Sequence, residues 1–190
     1  MLGYVFWHWP AQDCDRTVYE TGLGRFHTVL SAEAPDGFIS SAAFGIAGAP
    51  WLGQESAYED WYLVTDFDAL GELNEGAVSG TRSAAHHDVA ALAAGGTGGL
   101  YRAIVGPGRL APARQAAWFA KPSGMRYEEF FAALAHSTAQ PDITLWQRQL
   151  TLGPAPEFCL HAQQRHPLPD EFSPKWIELK PVWLPESAAV

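Results

Sequence analysis

The chain has little that would tie it to nucleic acid, a membrane or a disulfide framework. Only two of its 190 residues are cysteines, Cys14 and Cys159, too few for a disulfide scaffold or a cysteine-based zinc site. Lysine and arginine number 12 against 21 acidic residues, and the net charge of −9 argues against binding to a phosphate backbone. No apolar run approaches the roughly 20 residues of a membrane span, and no N-terminal segment has the pattern of a signal peptide. We therefore expect a cytoplasmic protein without nucleic-acid or membrane partners.

Charge and recognisable catalytic motifs are also scarce. Charged residues make up 17% of the chain, below the roughly 25% that is usual in soluble domains. Trp176 and Trp183 lie in a final strand, 175–183, that is predicted to have one face in water. Apolar surface of this kind is commonly covered by a second copy, so the sequence predicts a homodimer.

No nucleophile elbow, zinc-protease motif or Ser-x-x-Lys motif is present in the sequence, so no such motif identifies a reaction.

Aromatic residues are abundant, with eight Trp, ten Phe and six Tyr. Residues 3–9 are apolar or aromatic at every position except His8, which is typical of a strand covered on both faces. A helix with an apolar stripe, two strands, a broken second helix and a fourth strand follow, giving the order β-α-β-β-α-β over 1–108. The same order recurs over 114–185, with a loop at 167–174 in place of the second helix.

This order resembles the dimeric α+β barrel superfamily, whose ferredoxin-like units place two four-stranded sheets around a barrel. Tyr4–Pro10 and Tyr58–Val64 carry the resemblance, with weaker echoes at 115–122 and 157–163. It implies an α+β fold in which two fused ferredoxin-like halves with antiparallel sheets form one barrel within the chain. The superfamily includes cofactor-free monooxygenases, haem-degrading and haem-dependent enzymes, small-lactone isomerases and members without an assigned role.

The glycine run Gly95–Gly99 has the wrong position for a phosphate-binding loop. Such a loop follows a strand and opens a helix, so that the helix N-terminus meets the anion. Here the run leaves a helix and enters a strand. The sequence therefore favours a helix C-cap and a flexible turn.

His86 and His87 acquire a candidate role from the resemblance. Haem-degrading members bind the iron through a histidine late in the second helix, where these two residues lie. Those enzymes also use an asparagine on the first strand, whereas the only asparagine here is Asn74, on a helix. Adjacent helical residues diverge by about 100° and do not chelate one metal ion together. We expect surface or boundary histidines and no cofactor, with haem or metal ligation as the alternative.

Two further groups are candidates for ligand binding. His8 is expected beside Trp61 and Tyr62, because the first and third strands of a split βαβ sheet are neighbours. It is either a core histidine satisfied by a neighbour or, if it faces the barrel interior near Asp60 or Tyr62, a general base.

The second group comes from a predicted hairpin with its turn at 153–156. A pairing register that sets Arg148 opposite His161 and Trp146 opposite Gln163 would place these four side chains on one face. The patch is either an edge or interface salt bridge or an anchor for a carboxylate. The function expected overall is binding of a small apolar or aromatic ligand in the barrel, or a structural role. A monooxygenase-type or haem enzyme is the alternative.

Overall fold

The computed structural model describes residues 1–150 and 153–185, which form a mixed α+β structure. Its elements, in chain order, are β1 (Leu2–Pro10), α1 (Arg16–Ala32), β2 (Phe38–Ile46), β3 (Ala57–Val64), α2 (Phe67–Gly76), α3 (Arg82–Ala90), β4 (Ala93–Val105), β5 (Gln115–Phe119), α4 (Tyr127–Leu134), β6 (Thr144–Arg148), β7 (Phe158–Ala162), β8 (Lys175–Glu178) and β9 (Lys180–Trp183). A single 3-10 turn, Asp170–Phe172, precedes β8.

All nine strands belong to one antiparallel sheet with the order β8-β5-β7-β6-β4-β1-β3-β2-β9. Strand β1 lies between β3 and β4, as the predicted β-α-β-β-α-β order requires. The first four strands therefore have the order β4-β1-β3-β2, and the next four have the order β8-β5-β7-β6.

The segment 175–183 joins the two ends of this sheet. Its first part, β8, pairs with β5, and its second part, β9, pairs with β2. Between them, the Leu179 amide donates to the Arg114 carbonyl at 2.9 Å. The sheet is thereby closed into a barrel, and no long strand edge is left open along β2 or β5.

The two faces of β1 are buried against different layers, as its uninterrupted apolar run predicts. Val5 and Trp7 point into the barrel, whereas Leu2 packs with the outer helices. Along α1, the predicted stripe Tyr19, Leu23, Phe26 and Leu30 is buried against the outer face of the sheet. The Asp15 carboxylate caps α1 by accepting from the amides of Thr17 and Val18 at 2.7 and 3.2 Å.

The barrel interior is filled by indole rings. Trp7, Trp61, Trp118 and Trp146 are each at most 1% exposed. The ring centroids of Trp61 and Trp146 lie 4.9 Å apart, and those of Trp7 and Trp118 lie 5.3 Å apart. Aromatic contacts at this spacing are packed contacts, so the interior is a core.

The glycine run is a correction to the sequence-based interpretation. Gly95–Gly99 lies within β4, paired to β1, and forms neither a helix cap nor a flexible turn. A β-carbon on Gly95 would lie 2.7 Å from the Trp9 ring, and one on Gly98 would lie 2.6 Å from the Tyr4 hydroxyl. Glycine is used here because the large side chains of β1 lean across the neighbouring strand.

We expect Trp118→Ala to lower the free energy of unfolding by about 3–5 kcal/mol, because it empties the centre of the barrel. Trp176→Ala is the matched control, since Trp176 is only partly buried on β8. Urea denaturation followed by circular dichroism measures both changes. Equal losses in the two variants would contradict a barrel core that depends on Trp118.

Candidate functional site

Three ionisable side chains meet in the buried layer between the sheet and α1. The Nε2 atoms of His8 and His27 lie 3.2 and 3.1 Å from the same carboxylate oxygen, Asp60 Oδ2. The Tyr62 hydroxyl donates to this oxygen at 3.1 Å. We call His8, His27 and Asp60 the His–Asp–His cluster.

The strand register and one helical turn assemble this cluster. In the antiparallel pairing of β1 and β3, His8 lies opposite Tyr58 and Phe6 lies opposite Asp60, so His8 and Asp60 are diagonal neighbours on one face. His27 comes from α1, beside the buried stripe. His8 is buried in the helix layer, which fits a core histidine with polar neighbours; the condition for the general-base alternative, a position in the barrel interior, is not met.

Hydroxyl groups complete the cluster at both ends. His8 Nδ1 lies 2.7 Å from the Tyr19 hydroxyl, and His27 Nδ1 lies 2.7 Å from the Ser41 hydroxyl. Each hydroxyl can donate to an imidazole nitrogen or accept from it. Both Nδ1 atoms therefore have a hydroxyl partner within hydrogen-bond distance.

Burial and the neighbouring charges act in opposite directions on Asp60. Burial raises the pKa of this carboxyl group, but the facing imidazoles of His8 and His27 outweigh burial and hold the pKa well below its usual range. The same burial, together with the Asp60 charge, raises the pKa of the Tyr62 hydroxyl well above 10. Asp60 is therefore the acceptor at the centre of the cluster, and Tyr62 remains a donor.

An apolar cavity of about 630 Å³ lies on the outer face of the same strands. We call it the sheet–helix cavity, and its wall is formed by β1, β3 and the three helices α1, α2 and α3. The lining side chains are mostly aromatic or aliphatic: Tyr4, Phe6, Phe26, Tyr62, Phe67, Leu70, Leu73, Ala77 and Val78, with Gly71, Asn74 and His86. Tyr62 thus borders the cavity with its ring and the His–Asp–His cluster with its hydroxyl.

The mouth of the cavity is apolar as well. Phe67 and Val78 are 43% and 48% exposed, on either side of the exposed Asn74. Phe26 is buried behind them and contacts the His86 ring edge-on, with the centroids 5.5 Å apart. An exposed apolar rim around a deep aromatic wall is typical of a small-molecule site.

The two candidate haem or metal residues have different positions. His86 is half-buried in the wall of the sheet–helix cavity, whereas His87 is exposed on the outside of α3. Burial, followed by the neighbouring His87, lowers the pKa of the His86 imidazole. The neutral imidazole of His86 is therefore favoured at neutral pH, and its ring lines the cavity. Asn74, which the sequence placed outside any such site, lines the same cavity.

A second buried acid, Glu59, lies on the opposite face of β3 and points into the barrel. The indole N–H groups of Trp7 and Trp61 donate to its two oxygens at 2.8 and 2.7 Å. His161 Nε2 lies 3.9 Å from Glu59 Oε1, and its Nδ1 accepts from the Trp146 indole at 3.2 Å. Trp61, Trp146 and His161 thus belong to the packed interior, separated by the sheet from the cavity.

The predicted patch of the second hairpin is divided, because its register differs from the prediction. Thr144 lies opposite His161 and Trp146 lies opposite Cys159, a shift of the pairing along β7. The shift preserves the face, so Trp146 still meets His161. Arg148 lies instead at the end of β6, where its guanidinium donates to the carbonyls of the following loop. Gln163 lies just beyond β7 and is exposed.

Sequence reasoning missed three of the buried polar residues described above: His27, Ser41 and Glu59. His27 follows Phe26 and lies four residues after Leu23, so it borders the apolar stripe of α1. Glu59 and Asp60 interrupt a strand of otherwise apolar and aromatic residues, and buried carboxylates require partners. That requirement was the available signal that histidines or indoles would converge on β3.

Within 1–150 and 153–185, no group of three or more His, Cys, Asp or Glu side chains could hold a metal ion. None of the helices in that part of the chain has the length and hydropathy of a membrane span.

The whole fold is similar to solved structures, although the sequence is not. No family model and no curated protein matches the chain. A candidate monooxygenase from Fusobacterium nucleatum subsp. nucleatum has a TM-score of 0.65 at 9% identity, over 100% of this chain and 95% of the other. A candidate monooxygenase from Lactobacillus acidophilus has a TM-score of 0.56 at 12% identity, over 95% and 93%. An anthrone oxidase-like protein has a TM-score of 0.52 at 8% identity, over 100% and 96%.

These likenesses establish the fold. The chain shares with these structures a mixed α+β fold, and its own strands form an antiparallel sheet, which confirms the expected fold class at that level. At this level of identity they carry no residue roles, so the site rests on its own geometry.

The depressed pKa of Asp60 predicts how stability depends on pH. The ordinary value is 3.8, and a carboxyl group with a lower folded-state pKa stabilises the fold above its ordinary value. That contribution is lost as the pH falls through 3.8 toward the folded-state pKa. We expect Asp60→Asn to unfold more easily at neutral pH, by about 3 kcal/mol, and to show a flatter loss of stability in acid than the wild type.

Urea denaturation at a series of pH values measures both effects. Asp36→Asn is the control, because Asp36 is exposed in the turn before β2. Parallel acid profiles for the wild type and Asp60→Asn would show that the His–Asp–His cluster does not carry the pH dependence.

Proposed function

We propose that the protein binds a small planar aromatic ligand in the sheet–helix cavity. The observation that carries this proposal is a cavity of about 630 Å³ whose wall is aromatic or aliphatic apart from Asn74 and His86. Tyr4 and Phe6 lie nearly parallel, with ring centroids 6.5 Å apart and 14° between their planes, so they offer a stacking surface. The ligand thus lies outside the barrel, whose interior is occupied by tryptophans.

Oxidation of the bound aromatic is the second candidate function, of the monooxygenase type. It is supported by the fold shared with two candidate monooxygenases and an anthrone oxidase-like protein. In the cavity, a neutral His86 is suited to accept a proton from an acidic C–H or O–H group of the ligand. Oxidation of anthrone to anthraquinone by O₂ would place one oxygen atom on the ring carbon and release the other as water.

Haem is the alternative occupant. His86 is the residue that would ligate the iron, because it is neutral and directed to an apolar cavity, and haem would then supply the oxygen chemistry. Our primary proposal is that no cofactor is bound, because the Phe26 ring packs edge-on against the His86 imidazole, with the centroids 5.5 Å apart.

The duplication and assembly of the chain are further proposals. The recurrence of the strand order β4-β1-β3-β2 as β8-β5-β7-β6 supports fused ferredoxin-like halves, 1–108 and 114–185. The exposed, stacked rings of Tyr127 and Phe131 on α4 support a homodimer. Two free cysteines, Cys14 and Cys159, fit a cytoplasmic location.

We expect Ala77→Trp to abolish binding of 1-naphthol, because the indole would occupy the cavity. Glu72→Trp is the matched control, since Glu72 lies on the exposed side of the same helix and outside the cavity wall. Fluorescence titration of 1-naphthol measures the affinity. Binding to Ala77→Trp as tight as to the wild type would contradict the cavity as the ligand site.

The oxidation candidate has its own readout. Anthrone-dependent O₂ uptake above the uncatalysed rate is expected from the wild type and not from Ala77→Trp. Binding without any O₂ uptake would leave ligand binding as the function and reject oxidation.

Addition of haem to the purified protein tests the alternative that the cavity binds haem. We expect no Soret band that depends on a single histidine. A band that is lost in His86→Ala and retained in His87→Ala would establish His86 as a haem ligand and overturn the cofactor-free proposal. His87→Ala is the natural control, because His87 is the exposed neighbour on the same helix.

A further inference from the structure

A second cavity, of about 610 Å³, is lined by residues of the second half of the chain, at the end of β5 and in the loop between β6 and β7. It shares no lining residue with the sheet–helix cavity. Its charged residues are Lys121, Arg148, Lys175 and Glu157, and Ser173 adds a hydroxyl group. We call it the basic cleft. Trp118, Phe119, Phe172 and the prolines Pro122, Pro154 and Pro156 also line it.

The basic cleft is lined mainly by positive charges, although the chain as a whole is acidic. The whole sequence has a net charge of −9 and contains only three lysines, yet two of them, Lys121 and Lys175, line this cleft with Arg148. Glu157 is the single acidic group among the lining residues, and its Oε1 accepts from the Tyr127 hydroxyl at 2.6 Å. Among the described residues, none of the three cations lies within 4.0 Å of a carboxylate. The cleft therefore gathers three positive charges against one negative charge, and that one carboxylate is hydrogen-bonded to Tyr127.

Backbone carbonyls hold two of these cations in place. The Lys121 ammonium donates to the carbonyls of Met125 and Pro122 at 2.6 and 3.3 Å. Arg148 uses Nη1 for the carbonyls of Ala155 and Gly153, at 2.5 and 3.2 Å. A guanidinium group has five N–H donors, so Nε and Nη2 remain for another acceptor. The fixed side chains would lose little conformational freedom on binding an anion.

One lining residue of the basic cleft, Ser173, has an unusual backbone conformation. Ser173 has φ 45° and ψ 51°, the left-handed conformation that a non-glycine residue adopts at a cost of about 1–3 kcal/mol. Its amide donates to the Asp170 carbonyl at 2.9 Å, which fixes the turn. Such conformations cluster at ligand-binding sites, where the surrounding structure compensates for the strain. Here the turn places a hydroxyl group in the wall and sets the start of β8 at Lys175.

We propose that the basic cleft binds a small oxyanion, the carboxylate or phosphate group of a metabolite. Three cations and one hydroxyl group supply the donors that such a group requires, and the planar fork of Arg148 matches two oxygens at once. The site is independent of the sheet–helix cavity and of any reaction there.

The test is a titration of the ¹⁵N-labelled protein with sodium benzoate and, separately, with inorganic phosphate at constant ionic strength. We expect saturable shifts of the backbone amides of Gly153, Glu157 and Ser173 with at least one of the two anions. Lys121→Gln and Lys175→Gln should each raise the dissociation constant about threefold or more, as expected for a partly exposed charge pair. Lys180→Gln is the matched control: it removes the third lysine, which lies on β9 away from the cleft.

Each outcome decides the proposal. Tighter binding of benzoate than of phosphate identifies a carboxylate ligand, and the reverse identifies a phosphate. Linear, unsaturated shifts with both anions, or equal weakening by Lys180→Gln and Lys175→Gln, would reduce the cleft to general charge attraction and reject a specific site. Unchanged amide spectra outside the cleft in each variant show that the fold is intact.

Discussion

Two adjacent carboxylates in the middle of β3, Glu59 and Asp60, are buried on opposite faces of the sheet. Consecutive residues of a strand point to opposite sides, so each acid must find its partners in a different layer. Glu59 receives the indole N–H groups of Trp7 and Trp61 inside the barrel. Asp60 receives His8 and His27 under the helices. The packing of the barrel and the position of α1 both depend on satisfying this pair.

The sheet–helix cavity lies beside that pair, and part of its wall is formed by large aromatic side chains of β1 that pack over glycines of β4. Gly96 and Gly98 of β4 leave room for the rings of Phe6 and Tyr4 to lean across the strand. Tyr62 closes the wall and is held in place by its hydrogen bond to Asp60. The cavity and the His–Asp–His cluster are therefore mechanically connected through one side chain, although the cluster itself does not line the cavity.

The sequence was sufficient for the fold and insufficient for the site, for physical reasons that particular residues illustrate. Uninterrupted apolar runs and the α1 stripe predict the layers, because burial determines which residues face inward. Register is set by non-local contacts and loop geometry, so the pairing of β6 with β7 was misplaced although its face was right. Gly95–Gly99 was misinterpreted because glycine has two uses that look alike in sequence. It is common in turns, and it also occurs in strands where a neighbouring side chain comes close to the backbone. The position of His27 beside the α1 stripe indicated burial, but it did not identify the partner Asp60, which is on another element.

The closure of the barrel by 175–183 sets the order in which the chain can fold on the ribosome. Strands β2 and β5 each pair with this segment along one edge. Until the segment has been synthesised, the backbone groups of that edge remain unpaired. Contacts between distant parts of a chain form slowly, and open edges are where nascent chains associate wrongly. Until 175–183 pairs with both strands, the sheet is therefore open at two edges, and the pairing of β8 and β9 closes it.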